Sequence, residues 1–277
     1  METRIDMILR NKNAVIYGGG GAIGGAVARV FAREGARIFI AGRTQAKLDA
    51  VAADIIAGGG AVETAQVDAF DQRAVEKHAE AIAAKAGSID IALNAVSVMH
   101  DQGTMLIDLS LDEFMKPIDG FLRTLFITSK AVVRHMGGKR PGVILTLSTP
   151  GSKMAAPGAL GYSVTCAGKE SFSRVLAAEL APRNIRVICL RPHAIADAPA
   201  AGSYTKDIFK TLIWYKETAG NQPVEGWLPG SAMAQSTLLK RLPTLSEVAE
   251  TAAFMASDRA GAITGTVANL SCGSVVD

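Results

Sequence analysis

The stretch Ala14-Val15-Ile16-Tyr17-Gly18-Gly19-Gly20-Gly21-Ala22-Ile23-Gly24-Gly25 limits what this chain can become more than any other. Val15 to Tyr17 read as a short apolar strand, and Ala22 to Glu34 carry the spacing of an amphipathic helix. Glycines between them let the backbone approach a pyrophosphate closely. The helix N-terminus adds unpaired N–H groups and a partial positive charge. A glycine run by itself marks many loops. Strand, glycine turn and helix, followed by a second strand from Arg37 to Ala41, predict a dinucleotide-binding turn rather than a purely structural one.

Further apolar runs alternate with helical ones, the pattern of βαβ units around a parallel sheet. A helix is expected from Gln45 to about Ala57, stopped by Gly58-Gly59-Gly60, then a strand from Val62 to Val67. Next come a helix over Ala74–Lys85, a strand over Ile89–Asn94, a polar loop over Ser97–Asp108 and a long helix around Leu111–Met136. The strand Gly142–Leu147, the helix Tyr162–Leu180, the strand Arg186–Leu190, the helix Leu245–Ser257 and the strand Val267–Leu270 complete the pattern. The segment 194–240 is rich in Gly, Pro, Trp and Tyr and reads as a substrate loop or lid. With no repeat or linker, residues 1–277 are expected to form one doubly wound α/β domain of the Rossmann type. Ligands of such sheets sit beyond the carboxyl ends of the strands. Gly18–Gly24, Arg43, Asp68, Asn94, Ser148 and Pro192 all fall there, so one crevice should gather them.

Composition narrows the class. Of 277 residues, 49% are apolar and 20% charged, enough to fill a large core of Ala, Val, Ile and Leu. The net charge of +3 is dispersed, with no basic block to hold nucleic acid. No apolar run reaches membrane-spanning length and the first residues show no leader pattern. Cys166, Cys189 and Cys272 are widely spaced, and His78, His100, His135 and His193 lack ligand spacing. The expectation is reduced thiols, no metal, no membrane or nucleic-acid partner, and a cytoplasmic location.

At this point the chain resembles the short-chain dehydrogenase/reductase family along nearly its whole length. Tyr17-Gly18-Gly19-Gly20-Gly21-Ala22-Ile23-Gly24 matches the family's Thr-Gly-x-x-x-Gly-x-Gly turn, with Ala22 at the middle glycine. Arg174-Val175-Leu176-Ala177-Ala178-Glu179-Leu180, Ile185-Arg186-Val187 and Arg191-Pro192 resemble its active-site helix and the strand after it. Thr264-Gly265 and Leu270-Ser271-Cys272-Gly273 resemble its closing motif. The resemblance implies a nicotinamide cofactor held by Gly18, Gly20, Gly21, Ala22, Ile23 and Gly24, by Asp68 and Ala69, by Asn94 and Ala95, and by Pro192 and Ile195. NAD-binding relatives place an acid at the end of the second strand. Gly42 stands there, followed by Arg43, whose guanidinium can pair with a 2′-phosphate, so the expected cofactor is NADP(H). The resemblance also implies a small carbonyl or alcohol substrate, and a homotetramer or homodimer.

Tyr162 matches the family's catalytic tyrosine, the general acid toward a carbonyl oxygen. Its partner hydroxyl is expected at Ser148 from the local Ser-Thr-Pro-Gly pattern; the family spacing of thirteen residues falls on Thr149, which stays open. Other positions depart. Where the family has lysine four residues after the tyrosine, this chain has Cys166, and a thiol cannot replace an ammonium beside a phenol. Lys169 lies one turn further, at the Tyr-x6-Lys spacing of enoyl-thioester reductases; it either reaches back or is a surface lysine. The family's Asn-Asn-Ala-Gly reads Asn94-Ala95-Val96-Ser97, and the asparagine of its long helix corresponds to Phe121. The glycine of Pro-Gly is His193, and Asp197 stands about where a threonine meets the carboxamide. His100 or Asp101 is a substitute acid/base, or part of a solvated loop. Trp214, Tyr215 and Trp227 suggest an apolar substrate or a packing surface. Three activities therefore remain: a carbonyl reductase or dehydrogenase, an enoyl-type or non-redox enzyme on the same scaffold, and a nucleotide-binding module without turnover.

Overall fold

The computed structural model describes residues 7–203, 208 and 231–277. Among these, seven strands form one parallel sheet in the order β3-β2-β1-β4-β5-β6-β7. The strands are β1 (Asn13–Tyr17), β2 (Arg37–Gly42), β3 (Val62–Gln66), β4 (Ile91–Asn94), β5 (Gly142–Leu147), β6 (Ile185–Pro192) and β7 (Thr266–Leu270). The helices that follow them are α1 (Ala22–Arg33), α2 (Gln45–Ala57), α3 (Gln72–Ala86), α4 (Leu111–Val133), α5 (Leu160–Leu180) and α6 (Leu245–Ala256). The sheet reverses direction of growth between β1 and β4, which opens the ligand crevice there.

The strands are apolar throughout because helices cover both faces. Alternation then sorts their side chains. Ala14, Ile16, Ile38 and Ile40 face one core with α1, α2 and α6, where Phe31, Leu48, Val51 and Ala252 pack. Val15, Tyr17 and Phe39 face the other, with Val75 and Ile82 of α3, Ile127 and Val132 of α4, and Leu180 of α5.

Local chemistry sets the helix ends. Asp71 caps α3 by accepting from the Ala74 N–H, and Gly87 ends it at φ +82°. Ser110 caps α4, and Thr244 with Glu247 forms a capping box on α6. The glycine triplet after Ala57 does end α2, with Gly59 at φ +76°. Two boundaries are tighter than the sequence predicts by two residues or more. α4 stops at Val133 in a turn, and β4 starts at Ile91 because the Asp90 carboxylate takes the Asn13 N–H and pairs with Arg140.

The 194–240 segment is tied at its base. The Ala196 N–H donates to the Pro243 carbonyl at 2.9 Å, and the Leu245 N–H donates to Asp197 Oδ1 at 2.8 Å. Trp214, Tyr215 and Trp227 lie outside the described residues.

Candidate active site

One cavity of about 550 Å³ runs along the carboxyl ends of the strands, and every residue expected in the crevice except Gly19 and Gly24 lines it. Gly24 lies just beneath: a Cβ there would stand 2.3 Å from the Gly18 carbonyl oxygen. Gly18, at φ +83°, is required twice over, because a Cβ would also sit 2.4 Å from the Ala95 carbonyl oxygen. The turn therefore packs against the β4 end with no room for side chains. Gly21 caps α1 without any side-chain bond, and the first turn of α1 holds no acid. The leading N–H groups of α1 thus face the cavity uncapped, the arrangement an anion needs.

A second such terminus lies beside it. Thr44 caps α2 without a side-chain bond, and Arg43, exposed at the rim, and Lys47 flank it on the cavity wall. The Gln66 amide donates to the Arg43 carbonyl at 2.9 Å and fixes the backbone there. Asp68 turns one oxygen back to the Phe70 N–H, leaving Ala69 and Phe70 along the same wall. Asn94 donates to Thr128 Oγ1 at 2.9 Å, so its amide holds α4 against β4.

The other end of the cavity is built by α4, α5 and the loop after β4. Gly161 lets the two helices close on each other: a Cβ there would meet the Phe114 carbonyl at 2.6 Å and Pro117 at 3.2 Å. Tyr162 follows on the first turn of α5, with its ring stacked on His100 at 4.5 Å between centroids and 17° between planes. Phe121 completes the cluster, 5.6 Å from His100 and 6.2 Å from Tyr162.

Lys169 does reach this cluster. It is buried, lines the cavity, and lays its Nζ 4.5 Å from the centroid of Phe121. Its Nζ makes no ion pair or hydrogen bond among the described residues, and burial pushes its pKa below the usual lysine value. Phe121, where the family has asparagine, offers the ammonium its ring face.

The hydroxyl expected at Ser148 points elsewhere. Ser148 Oγ lies 3.0 Å from Glu170 Oε1 and 3.2 Å from the Cys166 carbonyl, committed to α5. Thr149, which keeps the thirteen-residue spacing, stands on the wall with Oγ1 3.3 Å from Cys166 Sγ and accepts from the Gly151 N–H. Cys166 is fully buried beneath it. Burial raises the Cys189 thiol to about 11, so that sulfur is inert at neutral pH.

His100 holds its neighbours in place. Its Nδ1 donates to the Val98 carbonyl at 2.7 Å, Nε2 accepts from the Gln102 amide at 2.9 Å, and burial lowers its pKa. Asp101 accepts from the Thr104 hydroxyl and N–H. Asp197 gives one carboxylate oxygen to the first N–H of α6 and is not among the residues lining the cavity.

Sequence reasoning missed a buried charge network behind Ser148. Arg191, 1% exposed, places Nε 3.4 Å from Glu170 and Nη2 2.6 Å from Asp277, while Ser152 donates to Glu170 at 2.5 Å. An arginine inside the apolar strand Ile185–Pro192 was its signal, because a buried guanidinium demands a carboxylate. The adjoining roles of Gln102 and Lys47 left no such mark.

Comparison with known proteins gives a consistent picture. A family profile described as short chain dehydrogenase matches residues 12–208. A 3-oxoacyl-[acyl-carrier-protein] reductase of Chlamydia muridarum is 29% identical over 270 residues, 97% of this chain and 99% of the relative. A 2,3-dihydro-2,3-dihydroxybenzoate dehydrogenase of Bacillus subtilis is 28% identical over 256 residues, 92% of this chain and 93% of the relative. Among solved structures, a dehydrogenase/reductase from Sinorhizobium meliloti superposes with a TM-score of 0.78, covering 98% of each chain at 21% identity, a likeness of fold alone.

Proposed function

Because this chain belongs to the short-chain dehydrogenase family of oxidoreductases, we propose that it is an NADP(H)-dependent reductase of a carbonyl substrate, with 3-oxoacyl thioesters as the favoured class. One observation carries the reading. The buried Lys169, whose Nζ has no anionic partner among the described residues, shares a cavity with Tyr162, and the same cavity ends on two helix termini without side-chain caps. Those termini fit the phosphates of a dinucleotide: α1 for the pyrophosphate, and α2 with Arg43 and Lys47 for a 2′-phosphate. Gly18, Gly20, Gly21, Ala22, Ile23 and Gly24 would shape the first of these places, and Asp68, Ala69, Asn94 and Ala95 the adenosine and ribose wall. Pro192 and Ile195 would close the nicotinamide end; the Ile195 N–H has no acceptor among the described residues. The bound nicotinamide supplies or accepts the hydride.

The chain's own groups handle the proton and the developing charge. Tyr162 donates its phenolic proton to the carbonyl oxygen as the alkoxide forms, and Thr149 Oγ1 gives the second hydrogen bond. Lys169 replaces the missing lysine from one turn further along α5, its positive charge favouring the phenolate that Tyr162 leaves behind. Cys166 keeps the small volume beneath Thr149. The 3-oxoacyl class is supported by the relatives of that activity, aligned along almost the whole chain. The Tyr162–Lys169 spacing also supports a second reading, reduction of an unsaturated thioester; turnover of enoyl but not 3-oxoacyl thioesters would select it.

The test of the nucleotide half is a fluorescence titration with NADPH and NADH. NADPH should bind at least tenfold more tightly, and Arg43→Asp should erase or invert that ratio. An unchanged ratio in the variant would refute the role of Arg43, and no binding of either nucleotide below millimolar concentration would refute the redox reading.

A further inference from the structure

The residue after Pro192 is His193, which stands at the end of β6 beside the β5 end that carries Ser148 and Thr149. Arg43 and Asp68 lie after β2 and β3, across the glycine turn, so His193 belongs to the reacting half of the cavity, whose wall it forms. The Ala194 N–H donates to His193 Nδ1 at 2.6 Å. That nitrogen must hold the lone pair, and the ring proton therefore sits on Nε2. Nε2 is buried and has no hydrogen-bond partner among the described residues. Burial also holds the imidazolium pKa down to about 4, so the ring is neutral and its donor constant from mildly acid pH upward.

A buried donor of fixed tautomer in a residue that lines a cavity, with no acceptor among the described residues, calls for an acceptor from outside them, which a ligand can supply. The same cavity is lined in part by the apolar Ala159, Ile195, Ala198 and Met233, surroundings that suit a neutral carbonyl oxygen better than an anion. A bound nicotinamide carboxamide would be held by the Ile195 N–H, which has no acceptor among the described residues.

Resting on the reductase reading above, we propose that His193 is a substrate-selecting residue. Its Nε2–H holds the second carbonyl oxygen of a β-dicarbonyl substrate, the thioester oxygen of a 3-oxoacyl chain, while the 3-oxo group faces Tyr162. A ketone without that second oxygen leaves the donor unpaired and binds less well.

Two ligands isolate this contact: acetoacetyl-CoA, and S-(3-oxobutyl)-CoA, which has a methylene in place of the thioester carbonyl. Calorimetric titration of the NADP⁺-loaded protein should show acetoacetyl-CoA binding about tenfold more tightly. His193→Phe, which keeps the ring and removes the donor, should abolish the preference and leave NADP⁺ affinity within about twofold. His193→Gln, which retains an N–H donor, should restore part of it and guards against a folding defect in the phenylalanine variant. Equal binding of the two ligands by the wild-type protein, no binding of either, equal weakening of both by His193→Phe, or a lost NADP⁺ affinity would each overturn the proposal. Turnover is measured separately. A wild-type protein that shows the selective binding and yet reduces no acetoacetyl-CoA would sink the redox reading and leave the role of His193 standing.

Discussion

Acid should destabilise this protein well above the carboxylate range, and two histidines set the window. Burial holds His78 and His193 at about 4, against 6.5 for the free side chain. Between those values the unfolded chain takes up protons that the folded chain refuses, so stability is fully present above pH 6.5 and falls as pH drops toward 4. Linkage over such a shift gives a loss of about 2 kcal/mol per histidine at pH 5 relative to pH 8, and about 4 kcal/mol for the pair. That is a large part of the roughly 5–15 kcal/mol a domain has to lose. His100, also lowered by burial, acts in the same direction.

His78 isolates one contribution. Its Nδ1 lies 3.3 Å from Tyr17 Oη, and the rings meet edge to face at 5.6 Å. Burial raises the Tyr17 pKa, so the phenol keeps its proton and can donate to the neutral imidazole. His78→Phe preserves the ring contact and removes the titration. The variant should be less stable at pH 8, because the buried Tyr17 hydroxyl loses its partner at a cost of about 1–3 kcal/mol. Between pH 8 and pH 5, however, it should lose about 2 kcal/mol less than the wild type. Urea unfolding followed by circular dichroism at the two pH values measures both quantities. Equal losses in the two proteins would refute the claim that the fold holds His78 neutral.

Two further outcomes follow from the site and the surface. Lys169→Met should lower kcat/KM for the carbonyl substrate by about 10²–10³-fold, with the larger share in kcat and NADPH affinity changed severalfold at most; steady-state kinetics that stay within threefold would remove Lys169 from the chemistry. Leu111, Met115 and Phe126 on α4 and Leu160, Val164 and Val175 on α5 expose a run of large apolar side chains that a second copy of the chain would cover. Phe126→Glu should shift the sedimenting species toward monomer, and a wild-type protein that already sediments as a monomer at micromolar concentration would contradict that assembly.

The sheet and the nucleotide half were legible because they are written in periodicity and glycine. Strand alternation fixes which core each residue faces, and Gly18 leaves its mark because no other residue fits against Ala95. The catalytic end was legible only as a set of departures. Cys166, Phe121 and Lys169 look like separate losses along the chain. In space Lys169 and Phe121 meet, Nζ 4.5 Å from the ring centroid, and the proposed function reads the three as one substitution, with the ammonium moved a turn along α5. That compensation depends on how far a lysine stem can reach across two packed helices, which spacing does not encode. The orientation of Ser148 was hidden for a similar reason: sequence gives the hydroxyl, but its bond to the buried Glu170, itself paired with Arg191, sets which way it turns. Asp197 looked like a ligand contact and caps a helix.

The two clasps at the base of the 194–240 segment, Ala196 to Pro243 and Asp197 to Leu245, have an evolutionary corollary. They pin the points where the chain leaves the sheet and where it returns, whatever is strung between them. Once such a neck is fixed, doubling the length of the excursion adds only about 0.6 kcal/mol of closure entropy. Descendants of this gene can therefore lengthen, shorten or exchange the piece in between while β6, α6 and the nucleotide crevice stay put. Much of the innovation in what the protein accepts as a substrate would then fall to an interchangeable cassette.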